Sequence, residues 1–317
     1  MDFQRLASAY FAQQLKEKPC YDWYCRLFRQ YFSAWGDHKT RFELRAWHLS
    51  LKATPSQANK ALGMLKAMYA WGQITGDATG KAALWPGENP ATGVRRHSTQ
   101  SRERVFSDTE LVQFFIYHEF ASIKVQAYTT LLLCTACRMS EARLMQWSHL
   151  DLAHGFWFKP NTKNGTSHRL PLPLQAVTAL QQLPRCGVYV FPGLYGRPWS
   201  RAAAEKAWGI FRKQAELPGL TLHDMRRTVA SRVYDQTKDE KLVKAILNHS
   251  DHSMSGIYIR MQYSRVAAAL QAHADALWTL RKETLYAPDR PMQFHTQWRT
   301  PDALPHGGST NGQSNGV

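Results

Sequence analysis

Residues 221–232 read TLHDMRRTVASR, a histidine and two arginines crowded into one turn and followed at once by small and apolar residues. On a helix His223, Arg226 and Arg227 share a face, where like charges three and four apart repel. The arrangement is tolerable if an anion sits among them. A guanidinium offers a planar fork of donors matched to phosphate oxygens, and a histidine adds one more. This is half of a phosphate clamp, although a surface helix also carries His-x-x-Arg without any ligand.

Working outward, a further arginine stands in LLLCTACRMSEARLMQW, residues 131–147. Arg138 follows an apolar helix directly, at the edge of a core where an unpaired charge is costly. If the helix continues, Glu141 lies on the same face and orients the guanidinium; the plain alternative is a surface ion pair. Lys163 sits at the tip of a polar turn in NTKNGT. It is either a solvated turn residue or an ammonium held over a clamped phosphate, able to protonate an oxygen leaving group. The stretch LNHSDHSMSGIYIRMQY, residues 247–263, supplies His249 and, nine residues on, Tyr258. Metal binding by His249 and His252 lacks acidic or thiolate partners beside them.

The 317-residue chain carries 40 Lys+Arg against 24 Asp+Glu, a net charge of +16, which favours a polyanionic partner. Residues 1–98 hold 14 basic and 7 acidic side chains and residues 99–290 hold 25 and 16, so the surplus lies on both parts that fold. No apolar run approaches the length of about 18 residues that a membrane span needs. The amino terminus, MDFQRLASAYFAQQLKEK, lacks the basic start and unbroken apolar segment of an export signal. Five cysteines without scaffold spacing suit reduced thiols in a cytosol, and Cys134 and Cys137, inside an apolar run, read as core rather than as a metal or redox pair.

The length suggests two domains. Tyr24, Leu27, Phe28, Tyr31, Phe32 and Trp35 align along one helical face. A second helix opens at TPSQ, with Thr54 as cap, Pro55 at the first position and Gln57 completing a capping box, and buries Leu62, Leu65, Met68 and Tyr69. Residues 75–104, rich in Gly, Pro, Thr and Ser, read as a linker. The next unit begins with a capping box, Ser107 and Glu110, ahead of Leu111, Phe114 and Phe115. An apolar central helix is expected over 121–137 and a β-hairpin in GFWFKPNTKNGTSHRLPLP, residues 155–173. Helical patterns return at 174–183, 199–214, 223–234, 239–247 and 264–282, and the tail 291–317 has too little apolar surface to order itself.

Taken in order and spacing, Arg138 in ACRMSEARLMQW, Lys163 in a polar hairpin, LHDMRRT, ILNHSDHS and GIYIRMQY resemble the tyrosine recombinases, the phage-integrase type in particular. The likeness covers roughly 104–280, and five separate elements agree. It implies a mostly α fold with a small β-sheet or hairpin in the catalytic domain (α+β). Residues 1–98 would form a helical core-binding, DNA-binding domain, 104–290 the catalytic domain and 291–317 a disordered tail. It implies that Arg138 and Arg226 are the clamp arginines and His223 the histidine of His-x-x-Arg. Lys163 would protonate the leaving 5′ oxygen, His249 would be the second histidine and Tyr258 the nucleophile. Glu141 would support the first arginine, with Arg227 outside the catalytic set. Two positions depart from the usual pattern. The small-Gly-Arg approach to the first arginine is TACR, and Asn248 replaces the glycine of Leu-Gly-His. Tyr263 rivals Tyr258, but the interval from His249 favours Tyr258.

The chemistry implied is cutting and rejoining of duplex DNA through a 3′-phosphotyrosyl intermediate. A phenol with a pKa of about 10 attacks phosphorus poorly without help. Arginines and histidines placed where charge develops supply it, at about 3 kcal/mol per donor. Since the phosphodiester energy stays in the protein–DNA bond, neither ATP nor a metal is required, and the sequence holds no Walker loop and no carboxylate cluster. The implied partners are double-stranded DNA with paired recombination sites, three further copies in a homo-tetramer and accessory proteins, in the cytoplasm and with no membrane. Fewer than 20 residues precede the first strong helix, which would leave out the amino-terminal arm-binding domain of some integrases. The helix at 264–282 docks either on a neighbouring protomer or on its own domain. A DNA-binding regulator that lost the reaction and a relaxing topoisomerase are the competing readings.

Overall fold

The computed structural model describes residues 2–18, 20–76, 80, 82–160, 167–248 and 256–286, with side chains of the last stretch from residue 263. The chain divides into two compact units, Met1–Arg102 and Glu103–Val317.

In the first unit, α1 (Phe3–Tyr10) is capped by Asp2, whose side chain accepts from the Gln4 amide at 2.9 Å, and it buries Phe3, Leu6, Ala7 and Tyr10. Its spacing is that of an amphipathic helix. A helix therefore fills the segment that the sequence reading left ahead of its first strong helix. α2 (Tyr21–Tyr31) ends earlier than the periodic pattern, so Phe32 and Trp35 pack from beyond it. A further helix, α3 (Arg41–Ser50), opens on a capping box of Thr40 and Glu43. α4 (Pro55–Ile74) starts with Pro55 at its first turn and buries Leu62, Leu65, Met68 and Tyr69, but Thr54 makes no side-chain capping bond. Nor is the supposed linker free of the core. Leu84, Ala91 and Val94 are buried against these helices, and Asn89 donates to the Lys66 carbonyl at 2.9 Å, because a few apolar residues suffice to dock an aperiodic strap.

The second unit is built around α6 (Ile123–Thr135), in which residues 127–135 are all buried. A helix apolar all round has no solvent face and lies in the middle of its unit. α5 (Asp108–His118) opens on the expected capping box, with the Glu110 amide donating to Ser107 Oγ at 3.2 Å. α7 (Met139–Arg143) follows α6 after one residue in the left-handed region. Then β1 (Leu150–Asp151), β2 (Phe156–Lys159) and β3 (His168–Pro171) form an antiparallel sheet in that order, with Leu150 opposite Trp157 and Lys159 opposite His168. The expected hairpin is present with one extra strand. α8 (Leu174–Gln181), α9 (Arg201–Gln214), α10 (Leu222–Thr237) and α11 (Glu240–Ile246) follow the helical patterns.

α12 (Gly256–Leu285) closes the unit. Leu270, Ala274 and Leu277 lie in the core that also holds Leu131, Phe115 and Met225, so the helix expected over 264–282 docks on its own unit. Cys134 and Cys137 are buried free thiols, and burial pushes both up, Cys137 to about 11, as core residues require. Among the described residues no helix is long and apolar enough to cross a membrane, and no His, Cys, Asp and Glu cluster could hold a metal.

Two buried histidines make this unit acid-sensitive. His118 Nε2 faces the Gln126 carbonyl at 3.2 Å and His273 Nε2 donates to the Leu133 carbonyl at 3.0 Å. Desolvation lowers each to about 4. The unfolded chain takes up these protons near pH 6.5, so it binds more protons than the folded state between about pH 4 and 6.5. Stability is therefore full above that window and falls as the pH drops through it. Urea unfolding at pH 7 and pH 5 is expected to differ by about 2 kcal/mol per histidine, with His118→Gln and His273→Gln each flattening the slope.

Candidate functional site

α6 stops because Ala136 turns into the left-handed region (φ 54°), its amide donating back to Leu132 at 3.1 Å. For an alanine that backbone costs about 1–2 kcal/mol relative to the right-handed form. The reversal lets Cys137 point into the core and makes Arg138 the cap of α7. The expectation that one helix runs through Glu141 is corrected here. The pairing survives for a different reason, since Arg138 caps a fresh helix whose third residue is Glu141. Arg138 Nη1 donates to Glu141 Oε1 at 2.8 Å, and its backbone amide donates to Oε2 at 3.2 Å.

α10 brings the second arginine to this corner. Leu222, Met225, Val229 and Val233 fix its buried face, which drives the neighbouring Arg226 inward to 6% exposure. Its fork ends on two carbonyls, Nη1 on Ala136 at 2.5 Å and Nη2 on Leu247 at 2.6 Å. Burial, and then the nearby charge of Arg138, pull this guanidinium down to about 10. The left-handed corner at residue 136 thus positions both arginines: it presents a carbonyl to Arg226 and releases Arg138 two residues on.

Repulsion within the opening turn is relieved differently from the sequence-based expectation. Asp224, fully buried, accepts from Arg227 Nη1 at 2.7 Å and from both the amide and the hydroxyl of Thr221 at 2.8 Å. Arg227 is therefore neutralised within its own helix, and no anion is needed to explain that pair. His223, at the exposed start of α10, is held below its ordinary value by desolvation and by Arg227 and Arg226, which favours a neutral imidazole near pH 7.

Two residues that sequence reasoning missed complete the corner. Lys159, on β2, donates from Nζ to Glu141 Oε2 at 3.0 Å, is 5% exposed and lies 5.1 Å from the Trp157 ring centre. His168, its cross-strand partner on β3, is lowered to about 4 by burial, with Lys159 the next cause, so it is neutral. A signal for Lys159 existed: strand residues alternate faces, and Lys159 shares the inward face of Trp157 while Phe158 points out. Burial alone would raise the Glu141 carboxyl, but Lys159 and Arg138 outweigh it and hold it at about 2. A cavity of about 360 Å³ opens beside these groups, lined by Arg138, Glu141, His149, Trp157 and Lys159 among others.

Arg138, Glu141, His223 and Arg226 of the sequence-predicted set are thus drawn to one region. Lys163 and His249 fall outside the described residues, as does the tail 291–317. Tyr258 lies on the first turns of α12, in the stretch whose side chains are not described. Asn248, one residue before His249, is left-handed (φ 47°). Asparagine tolerates that region better than most residues, so it adopts a glycine-like backbone at the second of the two departures. Ala136 does the same at the first, in TACR. Tyr263 is occupied: the Arg169 guanidinium lies 5.1 Å from its ring centre and 3.7 Å from that of Phe156.

Residues 105–265 match the model of the phage integrase family. Among curated proteins, the shufflon-specific DNA recombinase of Escherichia coli is 28% identical over 188 residues, covering 58% of this chain and 47% of that protein. Tyrosine recombinase XerC of Pseudomonas entomophila (strain L48) is 27% identical over 192 residues, covering 57% and 64%. The chain therefore spans about half to just under two thirds of the length of these relatives. Among solved structures, a lambda integrase dimer bound to a COC′ core site superposes with a TM-score of 0.63 at 17% identity, over 80% of this chain and 97% of that one. The Tn1549 transposon integrase in complex with transposon right end DNA gives 0.60 at 17% identity, over 83% and 98%. At such identities these two likenesses bear on the fold, which they share.

Proposed function

The chain belongs to the phage integrase family, and from that membership we propose that it is a site-specific tyrosine recombinase. It cuts and rejoins duplex DNA through a 3′-phosphotyrosyl intermediate. Arg138 and Arg226 hold the two non-bridging oxygens of the scissile phosphate, and His223 donates a further hydrogen bond. Tyr258 Oη attacks phosphorus, forming the P–O bond to tyrosine as the bond to the 5′ oxygen breaks, and Lys163 gives that oxygen its proton. His249 assists on the same phosphoryl group. Reversal by a different 5′ hydroxyl exchanges strands with the number of phosphodiester-type bonds unchanged.

What carries this reading is the surplus of positive charge at the corner. Arg138 and Lys159 converge on one carboxylate, Glu141, and Arg226 beside them, held by two backbone carbonyls, is buried enough for its charge to be costly without an anion. A phosphodiester gaining charge in its transition state is the complement of such a site, and donors fixed in advance pay no reorganisation as that charge develops. The basic balance of both halves supports a clamp around duplex DNA, with residues 1–98 as the helical DNA-binding domain and 104–290 as the catalytic domain. The functional assembly proposed is a homo-tetramer on two paired sites, with accessory proteins where a site requires them, in the cytoplasm. A lambda integrase tetramer bound to a Holliday junction has the same fold, which supports the tetramer.

A nicked suicide duplex that loses its 5′-hydroxyl fragment on cleavage tests the reaction. A protein–DNA adduct that survives denaturing electrophoresis is expected, in equal yield with and without a chelator. No adduct on any cognate duplex, such as the inverted repeats flanking the element that carries the gene, sinks the reading.

A further inference from the structure

We infer that Lys159 is a positioning residue of this site, locking Glu141 so that the carboxylate in turn aims the Arg138 guanidinium at the phosphate. The inference rests on the recombinase reading above and extends it to a side chain outside the sequence-predicted set.

A lysine with 5% exposure inside a four-residue strand is unusual, because its strongly hydrated ammonium is normally left in water. Here one hydrogen bond to Glu141 at 3.0 Å and the face of Trp157 at 5.1 Å replace that water. Glu141 then has no freedom left. Oε1 takes Arg138 Nη1, while Oε2 takes the Arg138 amide and Lys159 Nζ. Two of these bonds reach back to one residue and the third anchors the carboxylate to the sheet. With the anchor in place, Arg138 has a fixed guanidinium plane and its other nitrogens are aimed elsewhere. Without it, the carboxylate can swing about the α7 turn and the guanidinium with it.

The groups facing Glu141 come from every element around it: Arg138 ahead of α7, Cys137 at the corner, Lys159 on β2, His168 on β3 and Arg226 on α10. His168 is neutral, Cys137 keeps its proton, and Arg226 directs Nη1 and Nη2 to two carbonyls instead of to Glu141. The charge that keeps Glu141 ionised is therefore chiefly that of Lys159, followed by Arg138. Removing Lys159 leaves burial to raise the carboxyl. On the acid side Glu141 then takes up a proton, and its hold on Arg138 weakens as the pH falls.

The test compares the full-length protein with Lys159→Met, which keeps the length of the chain and drops its charge, and with Lys159→Arg, which restores a cation. Single-turnover adduct formation on the suicide duplex is expected to fall about a hundredfold in Lys159→Met, the scale of a small misplacement of a reacting group, with duplex affinity little changed. The same variant gains an acid limb, its rate dropping between neutral pH and pH 5 more steeply than that of the wild type, and Lys159→Arg recovers most of both losses. In parallel, the Glu141 side-chain carboxyl, labelled with carbon-13, is expected to titrate at higher pH in Lys159→Met than in wild type. An absent adduct from the wild-type protein counts against the recombinase reading and leaves the carboxyl titration to decide for or against Lys159. An unchanged Glu141 titration overturns the inference, and so does a Lys159→Arg protein as slow as Lys159→Met or a Lys159→Met loss with no acid limb.

Discussion

Tyr258→Phe is expected to abolish the protein–DNA adduct while duplex binding survives. The substitution removes one oxygen, the atom proposed to bond to phosphorus, and leaves the ring and every donor of the pocket in place. Loss of the nucleophile from a site whose parts act as a unit costs about 10⁴-fold or more in single-turnover cleavage. Tyr263→Phe is the matched control, and there adduct formation is expected to persist. The Tyr263 ring is engaged with Arg169, and burial raises its phenol, which outweighs the lowering by that arginine. A phenol that is harder to ionise and already engaged makes a poor attacking group. Gel analysis of the two variants on the same suicide duplex decides the matter. Equal adduct from both discards Tyr258 as the nucleophile.

Arg226→Ala is expected to lower adduct formation by about 10²- to 10³-fold, the usual effect of deleting one preorganised donor at a reacting centre. It also carries a structural cost. The carbonyls of Ala136 and Leu247 each lose a charged donor, and leaving a buried acceptor unpaired costs about 1–3 kcal/mol. Arg226→Lys separates the two effects. An ammonium keeps the charge, but it lacks the planar fork that spans both carbonyls, so cleavage stays low even where thermal stability partly returns. Arg227→Ala, one residue along, is expected to leave cleavage within a few-fold of wild type, because Arg227 is engaged by Asp224 on its own helix. Single-turnover rates and melting temperatures of the three variants check this. A fast Arg226→Ala protein removes Arg226 from the clamp.

Much of this was legible in the sequence because it is local. The capping box at Ser107 and Glu110, the all-apolar run that becomes α6 and the paired aromatic and aliphatic runs that become β2 and β3 depend on neighbours within one turn or one strand. Periodicity records such neighbours directly. The proposed site residues came from spacing and resemblance, and four of them, Arg138, His223 and Arg226 with the supporting Glu141, lie together in the folded unit. The strap over 82–94 and the helix at 3–10 escaped the reading because each buries only three or four apolar side chains. So weak a pattern is easily read as loop.

Sequence by itself, then, determined most of the helices, the hairpin and a proposed set of groups to grip a phosphate. Tertiary structure decided where their charges go. Arg226 and the Ala136 carbonyl are 90 residues apart in the chain and 2.5 Å apart in space, and Lys159 meets Glu141 across 18 residues. The balance of ion pairs depends on which side chains share a low-dielectric corner, where a cation without a partner is costly and a carboxylate is claimed by the nearest donors. That is why Arg227, which looked like a member of the anion-binding cluster, is neutralised by Asp224, while a strand lysine with no motif of its own holds the carboxylate that steadies Arg138.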